Sequence, residues 1–401
     1  MSNYDFVYVH DGVWEECIRV KNECLSIASK GHRILAIGIN TSNLKETVQY
    51  SPLITIQRVS LPWWHHYSRT LSAEFPIYSW VVERKLKRII RNVKAERFLV
   101  YNLFVFKGAI RAFSSVAPNV PVILDYAEDL PSIIPKYDYA TSTAGKLLVN
   151  LKKWERLQAE STRLADGLVF VTEEALFDYE NRYGDIIKKS ATLNNYVNPS
   201  NIGFDPISIP DVIEEDGFTL LYFGDTSLRR GTGMIIREMV NIIKVIPEAQ
   251  LIIIGYNKRE QSTLESLIQE LNVENNVVLT GYQPLSKLGR FMEISNIGLC
   301  PLQRNQHHDT THANKLYQYM HGGLPLLVSD CIAQRDLVQN NKLGRTFVAD
   351  NGDSFRAAVQ EMYENQELLQ EYRDNCIAYA AEHNWDNSIA KFLLFSKNLA
   401  T

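Results

Sequence analysis

Apolar positions along this chain follow two alternating rhythms. Short apolar runs at Tyr4–Val9, Arg33–Gly38, Arg97–Tyr101, Val120–Asp125 and Gly167–Val171 have the length and flanks of buried strands. Helical spacing fills the stretches between them, beginning with Val13–Lys30, which Gly31 closes. From Tyr196 to Gly217 the rhythm stops: YVNPSNIGFDPISIPDVIEEDG holds three prolines and an acidic cluster, a linker composition. The alternation then resumes, with strands expected at Thr219–Phe223, Gln250–Gly255, Val277–Thr280 and Ile297–Cys300. Helices are expected at Met234–Ile246, Glu260–Leu271 and Leu285–Glu293. Beyond Asp350 the pattern is helical, ending in Asn387–Lys397. Alternating strands and helices imply parallel sheets covered on both faces, an α/β fold. The division expected is an N-terminal domain over 1–200, a C-terminal domain over 201–384, and a last helix, 385–401, that crosses back onto the first.

The most chemically marked stretch is Cys300–Asp330, CPLQRNQHHDTTHANKLYQYMHGGLPLLVSD. A strand ends at Pro301, a polar His-rich loop follows, then a short helix with Lys315 and Gln318. Gly322 and Gly323 stop it before another apolar run, Leu324–Val328. In a βαβ unit the loop before the helix lies at the carboxyl edge of the sheet, where ligands bind. The helix N-terminus offers unpaired N–H groups to an anion, and Lys315 adds a cation in its first turn. A phosphate-bearing ligand is the first expectation.

Composition narrows the alternatives. The chain has 401 residues, 45% hydrophobic and 22% charged, with net charge −4; nothing global draws it to nucleic acid. Its five cysteines form no CxxC pair, which suits a reducing cytosol and gives no zinc spacing. MSNYDFVYVHDG lacks the basic and apolar regions of a signal peptide, and no apolar run approaches the roughly 20 residues of a membrane span. The opening strand, turn and helix are Rossmann-like, but G-x-G-x-x-G is absent, which argues against a dinucleotide cofactor. The spacing His307-His308-Asp309 with His312 matches no zinc motif, so no metal is expected.

Two segments carry a family resemblance. N-K-L-Y-Q-Y-M-x-G-G-x-P-L-L-V-S-D, from Asn314 to Asp330, is similar to the signature of family-4 (group 1) glycosyltransferases, retaining enzymes of the GT-B fold. Leu220-Leu-Tyr-Phe-Gly-Asp-Thr-Ser-Leu-Arg-Arg-Gly231 resembles their strand, glycine and Arg/Lys-Gly loop. The resemblance covers Thr219 to about Asp350 well and the N-terminal half loosely. It implies two Rossmann-like domains facing each other across a cleft, with the donor on the second and the acceptor on the first. It implies a metal-independent transferase, without a cofactor, that moves a sugar from a nucleotide-sugar donor to a glycan or lipid-linked acceptor, as in bacterial surface polysaccharide synthesis. A nucleotide-sugar epimerase of the same fold is a second reading, and a non-catalytic subunit that scaffolds an active partner is a third.

On these positions Arg230, rather than Arg229, and Lys315 are expected to neutralise the departing diphosphate. Gly224, Gly231, Asp309, Thr311, His312, Asn314 and Gln318 are expected around the donor. Tyr282 either lines the base pocket or simply packs. The family's two glutamates eight positions apart read here as Thr310 and Gln318. In family terms the turn His10-Asp11-Gly12 faces the cleft, with His10 and Asp11 toward the acceptor and Gly12 toward the donor. Asp125-Tyr-Ala-Glu-Asp resembles the family's acidic segment, although many relatives have a His there. It places Asp125 and Glu128 near the acceptor and Asp129 as a catalytic carboxylate, or else Asp125 and Asp129 as caps of the next helix.

One further signal lies at Tyr78–Arg97, YSWVVERKLKRIIRNVKAER. Trp80, Val81, Ile89, Ile90 and Val93 give an apolar stripe among Arg84, Lys85, Lys87, Arg88, Arg91, Lys94 and Arg97. With Trp63-Trp64 upstream this reads either as a surface for an anionic membrane or as a helix packed on the sheet with its cations in water. The placement expected is cytoplasmic, peripheral on the inner face of a membrane in the first case.

Overall fold

The computed structural model describes residues 2–40, 44–62, 69–136, 140, 148–197, 202–207, 214, 217–255 and 261–399. The chain divides into two compact units, Met1–Asn194 with Asp386–Thr401, and Asn195–Trp385. Trp63, Trp64 and Glu260 lie outside the described residues. No helix among the described residues is long and apolar enough to cross a membrane.

The first unit is built on eight strands: β1 (Ser2–Asp11), β2 (Ile34–Asn40), β3 (Thr47–Ser51), β4 (Ile54–Ser60), β5 (Val93–Tyr101), β6 (Val122–Tyr126), β7 (Gly167–Phe170) and β8 (Ser190–Thr192). Their order is β3-β4-β2-β1-β5-β6-β7-β8, parallel except for the β3–β4 pair. The centre of β1, Phe6–Val9, is buried on both faces, as a central parallel strand requires. Helices α1 (Ile18–Ser29), α2 (Ile77–Ile90), α3 (Leu103–Val116), α4 (Leu130–Ile133), α5 (Leu151–Leu164) and α6 (Glu173–Tyr183) connect the strands.

Three expectations need correction here. The first helix begins at Ile18 rather than Val13; Trp14 is instead buried, its ring 4.8 Å from that of Tyr50. The basic stretch Tyr78–Arg97 is not one helix, because α2 ends at Ile90 and β5 starts at Val93. Its apolar stripe divides accordingly: Ile90 is buried, Val81, Ile89 and Val93 pack on the core, and Trp80 faces out. β3 and β4, with no counterpart in the apolar reading, extend the sheet beyond β2.

The second unit has six parallel strands: β9 (Phe218–Phe223), β10 (Ala249–Ile254), β11 (Val277–Gly281), β12 (Ile297–Cys300), β13 (Leu326–Ser329) and β14 (Gly344–Phe347), ordered β11-β10-β9-β12-β13-β14. Helices α7 (Thr232–Val245), α8 (Gln261–Leu271), α9 (Leu288–Glu293), α10 (Gln306–Asp309), α11 (Asn314–His321), α12 (Ile332–Asn340), α13 (Gly352–Glu364) and α14 (Gln366–Glu382) complete it. Every residue of β10 is buried. The loop expected after β12 contains α10, which Asn305 caps by accepting from the His308 N–H at 3.1 Å.

The last helix, α15 (Trp385–Lys397), begins at the unit boundary and belongs from Asp386 onward to the first unit. Phe392 meets Phe6, and Arg97 donates to the Ser396 carbonyl at 2.9 Å. Gly167 makes room for this helix: a Cβ there would stand 2.7 Å from Leu399 and 2.8 Å from Phe395.

Candidate functional site

The order of the second sheet reverses between β9 and β12, neighbours that are not consecutive in the chain. Such a switch point opens a crevice at the carboxyl ends of the strands. Gly224 follows β9 with φ 129°, and Gly231 follows the short 3₁₀ turn Leu228–Arg230 with φ 83°. At Gly231 a Cβ would stand 2.0 Å from the Pro301 carbonyl oxygen. Only glycine therefore lets the β9 loop close on the end of β12.

Lys315 enters this crevice from the first turn of α11. It is buried, its Nζ has no hydrogen-bond partner, and that nitrogen sits 3.5 Å from the centre of the Tyr222 ring. A Cβ on Gly224 would stand 3.4 Å from the same nitrogen. Burial pulls the Lys315 ammonium down to about 8, and nearby Arg230 adds to the effect. An ammonium over an aromatic face gains some electrostatic relief, and Asp225 nearby opposes the shift, but a buried cation without a hydrogen-bond partner remains destabilised. The N-cap position of α11 is Ala313, whose side chain caps nothing, so the helix presents its first N–H groups at the same place.

Tyr319 holds this arrangement together. Its hydroxyl accepts from the Phe223 N–H at 2.8 Å and donates to the Leu221 carbonyl at 3.1 Å. Its ring lies against Gly298, where a Cβ would come within 2.6 Å. Asp225 organises the β9 loop, accepting from the Ser227 N–H at 3.0 Å and from its hydroxyl at 2.9 Å. The Arg230 Nε lies 3.7 Å from the same carboxylate, and its side chain is partly exposed. The Arg229 side chain lies outside those described.

Gln318, one turn after Asn314 and Lys315, is half-buried and its side chain has no recorded partner; Asn314 is exposed. Tyr282 is 78% exposed, next to Gly281. It does not pack, and a small crevice beside it is lined by Thr226, Ile253, Gly255, Gln261, Leu264, Leu279 and Gly281. Other residues expected around the donor have their polar groups engaged within the protein. Asp309 pairs with Arg304 at 3.2 Å and accepts from the Ile332 N–H at 3.1 Å. The Thr311 hydroxyl donates to the His307 carbonyl at 2.7 Å. Thr310 turns back to its own α10 backbone. Both His312 ring nitrogens are occupied, Nδ1 by the Tyr317 hydroxyl at 2.6 Å and Nε2 by the Ala333 carbonyl at 3.1 Å. Among the described residues no three His, Cys, Asp or Glu side chains converge as metal ligands would.

The expected acceptor residues of the first unit lie at the carboxyl edge of its sheet. Asp125 is buried, and Arg19 grips both its carboxylate oxygens at 2.9 and 3.0 Å. Glu23 joins the same guanidinium at 2.9 Å and accepts from the Tyr8 hydroxyl at 2.5 Å. Burial pushes the Glu23 carboxyl above its ordinary range, opposed by Arg19 and reinforced by Asp125. Asp129 stands at the N-cap position of α4 but makes no capping bond. It accepts from Gln158 at 2.8 Å and lies 3.4 Å from Arg182. Neither carboxylate caps α4: side chains from α1, α5 and α6 hold them instead. Asp11 is paired with Arg69 and accepts from the Tyr78 hydroxyl at 2.9 Å. His10 is buried with neither ring nitrogen partnered, and burial lowers it to about 4. Gly12, with φ 134°, has open space where a Cβ would stand; Glu128 is exposed.

Sequence reasoning missed Tyr222, Tyr319 and Arg19. Tyr222 and Tyr319 read as ordinary apolar positions of a strand and a helix. Arg19 sits among mixed residues of α1, and only the fold carries it to Asp125, distant in sequence.

Residues 206–383 match the model of the family described as glycosyl transferases group 1, so the chain carries a group 1 glycosyltransferase domain. No curated protein matches the chain by sequence. Among solved structures, sucrose-phosphate synthase from Thermosynechococcus elongatus is similar over 100% of this chain and 99% of its own, with TM-score 0.72 and 14% identity. A UDP-forming alpha,alpha-trehalose-phosphate synthase from Burkholderia xenovorans is similar over 100% of both chains, with TM-score 0.72 and 14% identity. HepE of Anabaena, in complex with UDP, is similar over 99% of this chain and 100% of its own, with TM-score 0.68 and 13% identity. At such identities these likenesses establish the fold, GT-B with two Rossmann-like domains.

Proposed function

We propose that this glycosyltransferase takes a nucleotide-activated sugar as donor and binds its diphosphate at the β9–β12 switch point. The observation that carries the reading is the buried, unpartnered Lys315 ammonium beside Gly224 and the uncapped start of α11. Breaking the anomeric C–O bond leaves negative charge on the diphosphate. Fixed donors aimed at that charge are worth more in a site shielded from water than in solution. Lys315 contributes a point charge, Arg230 a planar fork for phosphate oxygens, and α11 its first N–H groups. In this reading Gln318 meets the ribose, Tyr282 and the crevice beside it take the base, and the protein's own cations neutralise the leaving group without metal or cofactor. Transfer proceeds with retention at the anomeric carbon, to a glycan or lipid-linked acceptor of surface polysaccharide synthesis at the inner face of a membrane. UDP in the HepE structure and the UDP-forming synthase support UDP as the first nucleotide to try.

Titration calorimetry with UDP-, GDP-, ADP- and dTDP-sugars, followed by NMR of the product anomer, tests the reading. One nucleotide sugar is expected to bind and turn over with retention. Binding of none, or no turnover in the presence of lipid-linked and soluble glycan acceptors, overturns it.

A further inference from the structure

The outer face of α2 differs from the stripe read in the sequence. Tyr78, Val82, Leu86 and Ile90 are buried in the core of the first unit. Ser79 and Val82 sit so close to Gly108 of α3 that a Cβ there would stand 2.6 and 2.8 Å from them. The opposite stripe is Ile77, Trp80, Arg84, Arg88 and Arg91, at steps of three and four residues that fall on one helix face. Ile77 is 46% exposed and Trp80 56%, with Phe75 49% exposed just before the helix. The apolar end and the basic end therefore follow one another along a single line about 21 Å long at the rise of an α-helix.

Charge separates this line from its surroundings. Arg84, Lys85, Arg88 and Arg91 are all exposed, and no ion pair or hydrogen bond is recorded for any of their side chains. Lys87, on the flank, is tied to Glu83 at 2.7 Å, and Glu83 also lies 4.0 Å from Arg111. Arg97 is held by the Ser396 carbonyl and Glu96, so it plays no part. Three unpaired cations, Arg84, Arg88 and Arg91, thus stand in a row, with Lys85 off to one side, on a protein of net charge −4.

We infer that the outer face of α2 docks on an anionic lipid bilayer, with Phe75, Ile77 and Trp80 entering the headgroup region and Arg84, Arg88 and Arg91 against lipid phosphates. An exposed Trp beside apolar residues is suited to the interface between headgroups and acyl chains. A line of cations next to it answers the negative surface potential. An acidic protein or a nucleic acid would satisfy the cations but leave the apolar end in water. The inference rests on the reading of a lipid-linked acceptor, but it concerns a surface that the donor site does not use.

Sedimentation with vesicles of phosphatidylcholine alone, and of phosphatidylcholine mixed with phosphatidylglycerol, tests it at low and high salt. The wild type is expected to bind the mixed vesicles only, and to leave them at high salt. The triple variant R84E/R88E/R91E is expected to bind on the order of a hundredfold more weakly, from about 1 kcal/mol per cation. W80F keeps an aromatic side chain and should bind nearly as the wild type, yet lose part of the tryptophan quenching by brominated lipid. Donor calorimetry on the same variants should be unchanged, which separates failure of the surface from failure of the donor site. Equal binding to both vesicle types, binding to neither, or full binding by the triple variant overturns the inference.

Discussion

The carboxyl edges of the two sheets carry similar residue types and treat them in opposite ways. In the first unit nearly every charge is answered from within: Asp125 and Glu23 by Arg19, Asp11 by Arg69, Asp129 by Gln158 and Arg182. In the second unit Lys315 is buried without a hydrogen-bond partner, Arg230 stands 3.7 Å from its carboxylate, and Gln318 has no recorded partner. A closed network stabilises a fold because each buried polar group has its complement. An open one sacrifices stability for a place where a ligand can complete it. That contrast is what favours the second edge as the donor site in the function proposed above.

The largest expected effect breaks the closed side. Asp125→Ala leaves the Arg19 guanidinium buried without its main partner and should cost about 3–5 kcal/mol of stability, read as a loss in the midpoint of urea unfolding. An unchanged midpoint would mean that the network is not what holds β6 to α1. On the open side the same kind of removal should act in reverse. Lys315→Met keeps the bulk of the side chain and deletes the unpaired charge. It should lower turnover of the nucleotide sugar by roughly a hundredfold to a thousandfold while leaving the melting temperature unchanged or a few degrees higher. A variant that loses both activity and stability would show that Lys315 belongs to a closed network after all.

The two edges should also respond oppositely to pH. Lys315 is lowered in the folded chain to about 8, so between there and its ordinary value the unfolded state binds more protons. Its contribution to stability is therefore fully present above about pH 10.5 and is lost as pH falls through 8. Glu23 is raised by burial, so its contribution is present below the usual carboxylate range and is lost as pH rises through its folded value. Comparing the pH dependence of stability in Lys315→Met and Glu23→Gln with the wild type should remove the alkaline rise from the first and the loss on raising pH from the second. Donor affinity should decline above pH 8, as Lys315 gives up its proton, and Lys315→Arg should abolish that decline.

The smallest effect sharpens the donor edge. Gln318→Ala should weaken donor binding by about 0.5–1.5 kcal/mol, the net worth of one neutral hydrogen bond, and Gln318→Glu should match or exceed the wild type. Calorimetry showing one affinity for all three proteins would move the ribose away from α11.

Much of this was legible in the chain alone. The runs Thr219–Phe223 and Gln250–Gly255 became β9 and β10 nearly to the residue, because strands buried on both faces must be apolar throughout. The segment around Lys315 announced itself because a Gly stop, a helix and two apolar runs are local features. Its burial and lack of a partner were not legible, since they depend on Gly224 and Tyr222 arriving from a different strand. The basic stretch shows the same limit more sharply. One run of cations was divided between α2 and β5, and packing against Gly108 decided which cations face water. Periodicity along a chain determines which residues can share a face. Only the tertiary structure brings in the neighbours that neutralise Asp125 and leave Lys315 unpaired, because burial and charge pairing are made between residues that are distant in sequence.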